Sequence, residues 1–128
     1  MFKLEYTYDC LDGKYFLCAE GEDEITYAVD SSIHVLASKQ GSLDETDSRR
    51  FLQALKDCGI ERWAKEYKAD LGSIEDAIRW SLTYITNGKE YFSKGEESYE
   101  PYNYNKLIEA LMIIDEDTAC FRMGETDD

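Results

Sequence analysis

Residues 2–8 read Phe-Lys-Leu-Glu-Tyr-Thr-Tyr, with large apolar side chains at every second position. That period of two belongs to a strand with one face buried and one face wet. A chain that opens this way must place something apolar against Phe2, Leu4, Tyr6 and Tyr8. Asp12-Gly13 follows, the composition of a two-residue type I′ turn. Tyr15, Leu17 and Ala19 then resume the alternation. With Asp12-Gly13 as the loop, Tyr8 is expected opposite Leu17 and Tyr6 opposite Ala19, so the apolar faces agree. That register puts Cys10 and Cys18 on opposite faces, which argues against a bridge between them. The run Glu20-Gly21-Glu22-Asp23-Glu24 reads as the next turn, and Ile25, Tyr27 and Val29 as a third strand. Ile33 to Ala37 forms a fourth apolar segment, and the N-terminal third is expected to be an antiparallel meander.

The pattern changes at Ser42-Leu43-Asp44-Glu45, which reads as a capping box with Ser42 as N-cap and Glu45 reaching back. Phe51, Leu52, Leu55 and Cys58 make a stripe at helical spacing, and Gly59 fits the left-handed stop. These signals predict a helix over 43–58. Trp63 and Tyr67 are expected in a short helical segment. Ile78 to Ile85, Thr86-Asn87-Gly88-Lys89 and Glu90 to Ser93 then read as a second hairpin. Its turn pairs Tyr84 with Tyr91 and Leu82 with Ser93. After a polar loop and Pro101, Asn103 is expected to cap a helix with Leu107, Ile108, Leu111 and Met112 on one face. Residues 118–123 read as a short strand, and 124–128 as a mobile acidic tail. The order predicts an α+β fold: an antiparallel sheet, made of the N-terminal meander and a C-terminal hairpin, with two main helices on one face. The 128 residues fit a single domain over 1–128.

The second half also carries a pattern: Phe51-x3-Leu55-x3-Gly59-Ile60-x2-Trp63, then Asp76-x3-Trp80-x-Leu82, Asn87-Gly88, Gly95, Tyr99, Pro101 and Leu107. Over about residues 43–112 this resembles a small uncharacterised domain of Gram-positive bacteria and their mobile elements. Asp76-Ala77 stands where that pattern has Asp-Gly, and Glu100 separates Tyr99 from Pro101. The shared residues are turn formers and core aromatics, so the resemblance implies a fold and supplies no catalytic residue. Its mobile-element setting implies an anti-defence protein of the phage anti-CRISPR type.

Motifs of catalysis are lacking. His34 is the one imidazole, and Ser31, Ser32 and Asp30 beside it are neighbours in sequence, which does not make a triad. There is no G-x-S-x-G elbow, no phosphate-cradling glycine loop and no EF-hand spacing at Asp115-Glu116-Asp117. Four cysteines without a C-x-x-C pair, and one histidine, do not complete a zinc set. No cofactor, metal or enzymatic activity is expected. The start of the chain lacks the basic and apolar regions of a signal peptide, so free thiols in a bacterial cytoplasm are expected.

What remains is charge. Lys and Arg number 14 against 28 Asp and Glu, a net charge of −14. That sign disfavours direct contact with nucleic acid or an anionic membrane and favours a basic protein surface. The acids cluster at 20–24, 44–47, 96–100, 115–117 and 125–128. Carboxylates fixed on turns can imitate a row of phosphates and compete for a basic groove. The expected binding residues are Glu20, Glu22, Asp23 and Glu24, with Glu96, Glu97 and Glu100 of the loop 95–101. The expected function is a non-enzymatic inhibitor occluding the basic nucleic-acid site of a nuclease, a Cas effector or a toxin. Two alternatives stay open: an immunity protein for a cognate toxin, and a structural domain whose charge serves solubility alone.

Overall fold

The computed structural model describes residues 2–22, 24–33, 36–67, 78–96 and 99–122. Its sheet holds seven strands: β1 (Phe2–Cys10), β2 (Gly13–Gly21), β3 (Ile25–Ser31), β4 (Ala37–Ser42), β5 (Glu66–Tyr67), β6 (Arg79–Thr86) and β7 (Lys89–Glu96). Their spatial order is β4-β3-β2-β1-β6-β7-β5, with every pair antiparallel except β5 and β7. The opening strand of the chain is thus the middle of the sheet. Two helices, α1 (Glu45–Cys58) and α2 (Tyr104–Leu111), pack on one face, so the architecture is α+β. Phe2 meets Phe51 of α1 edge-on, and Trp80 of β6 meets Tyr104 of α2 with ring centroids 5.0 Å apart. The Tyr6 and Tyr104 hydroxyls hydrogen-bond to each other inside this layer, so neither polar tip is buried alone.

The second hairpin forms in the expected register, Tyr84 opposite Tyr91 and Leu82 opposite Ser93. Asn87 and Gly88 have φ of 52° and 77°, as a type I′ turn requires. The first hairpin differs. Cys10 pairs with Gly13, the loop is Leu11-Asp12, and Tyr8 lies opposite Tyr15 and Tyr6 opposite Leu17. Gly13 is not a turn residue but the first of β2. Its φ is 145°, and a Cβ there would sit 2.4 Å from the Ser32 carbonyl oxygen. Glycine is needed for that close approach of the chain just after β3. The slip is two residues, so every side chain keeps its expected face.

Three other expectations change. The fourth strand is Ala37–Ser42, not 33–37; all six of its residues are exposed, so no apolar period marks it. Helix α1 begins at Glu45, and its N-cap is Asp44, whose Oδ1 accepts from the Asp47 N–H at 2.7 Å. Ser42 cannot cap because it is still paired in β4, opposite Thr26. Glu45 turns to Arg49 rather than back to the cap, with an Arg49 Nη1–Glu45 Oε1 separation of 3.4 Å. Gly59 takes the left-handed conformation after Cys58, as expected. Trp63 follows a 3₁₀ turn over 60–62, and Tyr67 lies in β5 rather than in a helix.

Residues 116–121 form a 3₁₀ turn where a strand was expected. Asp115 caps it, and Phe121 then inserts among the tyrosines, stacked on Tyr8 at 4.0 Å and edge-on to Tyr15 at 4.8 Å. Asn103 precedes α2 as expected but makes no cap bond; its Nδ2 donates to the Cys58 carbonyl at 3.2 Å, tying the two helices together. His34 and the tail 124–128 lie outside the described residues.

Candidate protein-binding surface

The acidic clusters are sorted by the ends of the sheet. The β2–β3 turn follows the pairing of Gly21 with Ile25. Beside it the chain leaves β4 for α1, and the Leu43 N–H donates to the Ile25 carbonyl at 2.9 Å. Glu24 and Asp44 each lie one residue beyond that bond, so they sit side by side at the same end of the sheet. Glu22, Glu24, Asp44 and Glu45 are exposed there. Glu20 is half-buried on the face away from the helices, opposite Lys3 in register. The helix itself favours part of this charge: Asp44, Glu45 and Asp47 lie at the positive end of the α1 dipole. Arg50 Nη1 reaches Asp47 Oδ1 at 2.8 Å and Arg49 Nη1 stands 3.4 Å from Glu45 Oε1, so two of the three have a cationic neighbour.

The loop 95–101 is elsewhere. Glu96 ends β7, opposite Arg79, and Arg79 lies opposite Asp9. Glu20 is opposite Lys3, six residues up β1 from Asp9 and three strands across from β7. At strand dimensions the two places are about 25 Å apart, at diagonal corners of the sheet. Glu96 is also 6% exposed, and Glu100 is half-buried. The Glu100 Oε2 is buried without a hydrogen-bond partner among the described residues, and burial raises its carboxyl above the usual range. Burial and distance both separate these two acids from the β2–β3 turn. Asp23 and Glu97 lie outside the described residues.

In the cluster 115–117 Glu116 and Asp117 are exposed, whereas Asp115 is taken up by the fold. Asp115 is 7% exposed. It accepts from the Tyr15 hydroxyl at 2.7 Å and from the Asp117 N–H at 3.2 Å, and Lys39 Nζ stands 3.6 Å away. A buried carboxylate held by two donors and faced by an ammonium is satisfied.

The reactive groups are quiet. Burial pushes the Cys58 thiol up to about 12 and raises Cys18 and Cys120 as well, so none is a thiolate at neutral pH. Burial likewise raises the Tyr6, Tyr15 and Tyr104 hydroxyls. Among the described residues no group of three or more His, Cys, Asp or Glu could hold a metal ion. No helix among them is long and apolar enough to cross a membrane.

Sequence reasoning missed two features of this surface. Asp44 with Asp47 three residues on was a cap signal in its own right, masked by the stronger-looking Ser42 and Glu45. Strand β4 gave no signal, because a fully exposed edge has no hydrophobic face to set a period. Neither a protein-family model nor a curated protein matches the chain.

Proposed function

We propose that this protein is a non-enzymatic inhibitor that binds a basic protein surface through the β2–β3 end of its sheet. The partner is a nucleic-acid-binding enzyme, a nuclease above all, whose groove is filled so that DNA or guide RNA cannot enter. The observation that carries this reading is the meeting of the β2–β3 turn with the start of α1, fixed by the Leu43–Ile25 hydrogen bond. It brings Glu22, Glu24, Asp44 and Glu45, all exposed, to one end of a chain with net charge −14. A field of that sign speeds encounter with a basic groove. An anti-CRISPR or other anti-defence role fits this mechanism and the resemblance of residues 43–112 to a mobile-element domain. Glu96 and Glu100 have no part in it.

The test is capture of a partner from host lysate at low and high salt, followed by displacement with double-stranded DNA. The expected result is a basic nuclease held at low salt, lost at high salt, and released by DNA. Recovery of no basic protein, or of one that DNA does not displace, overturns the reading.

A further inference from the structure

Among the described residues strand β4 lies at one edge of the sheet and pairs with β3 alone. The Leu43 N–H donates to the Ile25 carbonyl, so that couple is a hydrogen-bonded one. Alternation along the antiparallel ladder makes 41 with 27, 39 with 29 and 37 with 31 the other bonded couples. The N–H and C=O groups of Ser38, Gln40 and Ser42 therefore point away from β3. A row of this kind is a template for another strand. Native edges are usually blunted by proline, by a bulge or by a charge that an added strand would bury. β4 has no proline and pairs through six consecutive couples without a bulge. Its one charge, Lys39, stands 3.6 Å from Asp115 on the helical side, so an added strand would not leave the ammonium buried alone.

The two faces of this edge are hollow. On the helical side a cleft of about 530 Å³ is lined by Val29, Ile33, Ala37 and Phe121. On the opposite side a second, of about 450 Å³, is lined by Phe16, Leu36, Ala37 and Ser38. Side chains of an added strand alternate between faces, so successive residues would fall by turns toward the two hollows. At its other end β4 runs into the acidic corner of Glu24, Asp44 and Glu45.

We propose that β4 is a strand-addition site for an extended segment of the partner, with apolar side chains alternating into the two hollows and Lys or Arg at the end beside Ser42. This rests on the basic-partner reading above. Charge decides between a foreign segment and a second copy of the chain: two copies at −14 each repel, whereas a basic-ended segment is drawn in. Main-chain hydrogen bonds supply the affinity, and the hollows and the acidic corner supply the choice of segment.

The test uses a random peptide library displayed on phage, selected against the whole protein. Enriched peptides are expected to show apolar residues at every second position with a basic end, and to slow amide exchange at residues 38, 40 and 42. Gln40→Pro removes an outward N–H and leaves the bonds to β3 intact, so it should keep the unfolding midpoint and weaken binding about tenfold or more. Gln40→Ala should bind as the parent does. Should Gln40→Pro fold poorly, peptides N-methylated at alternate amides give the same readout from the other side. No enrichment, equal binding by Gln40→Pro or by the N-methylated peptides, or a self-associated dimer dissolved by Gln40→Pro would overturn the proposal. Glu22→Lys with Glu24→Lys separates the two readings. It should weaken basic-ended peptides and spare neutral ones; loss of neither leaves strand addition standing and removes the acidic corner.

Discussion

Gly95→Ala is expected to unsettle the loop 95–101 and with it the fold. A Cβ at residue 95 would lie 2.5 Å from the Tyr99 carbonyl oxygen, 2.7 Å from Trp80 Nε1 and 2.8 Å from Trp80 Cε2. None of these atoms is the end of a flexible side chain. The indole is 2% exposed and is itself held between Trp63, at 6.2 Å, and Tyr104, at 5.0 Å. Either β7 or the loop must give way. Overpacking of this kind costs about 1–3 kcal/mol, and the smaller freedom of alanine in the unfolded chain returns about 0.5 kcal/mol. A net loss of about 1.5 kcal/mol corresponds to a fall of about 6 °C in Tm for a chain of this length. Urea unfolding followed by tryptophan fluorescence and by circular dichroism measures it. A loss under about 0.5 kcal/mol would refute the packing of the loop on Trp80. It would also undo the burial of Glu96 and Glu100, and so their exclusion from the binding surface.

Asp44→Ala should cost about 1 kcal/mol in the same assay, while Ser42→Ala stays within about 0.5 kcal/mol, since the first is the α1 cap and the second is not. Phe121→Ala should cost about 3–5 kcal/mol, because it empties the space between Tyr8 and Tyr15. Alkaline pH should destabilise the fold. Burial raises Cys58, to about 12, and also Tyr6, Tyr15 and Tyr104, so the folded state prefers their protonated forms. Their stabilising contribution is whole below the unfolded values, about 9 for the thiol and about 10 for the phenols. It is lost as pH rises from there through the folded values, and urea midpoints at neutral pH and above these values should fall accordingly.

What the sequence disclosed depended on how much burial stood behind each signal. The hairpin at Asn87-Gly88 was legible to the residue, because its turn residues and its apolar face agree. The first hairpin was legible in its faces but not its register. Asp12-Gly13 has the composition of a turn, yet Gly13 answers a contact with Ser32, which is remote in sequence. The end of the chain misled for a similar reason: Thr118 to Met123 reads as a strand, but the Asp115 cap and the slot among the tyrosines decide its shape. For the candidate surface, sequence marked the acids and could not sort them. Clusters at 20–24 and 96–100 look alike in one dimension, and strand order with register puts Glu20 and Glu96 at opposite corners.

The most direct test of binding through the β2–β3 end compares two paired variants against the captured partner across a range of salt. Glu22→Lys with Glu24→Lys should slow association and flatten its salt dependence without moving the unfolding midpoint. Glu96→Gln with Glu100→Gln should leave the association rate and its salt dependence as they are. Unchanged association in the first pair, or a loss confined to the second, would contradict it.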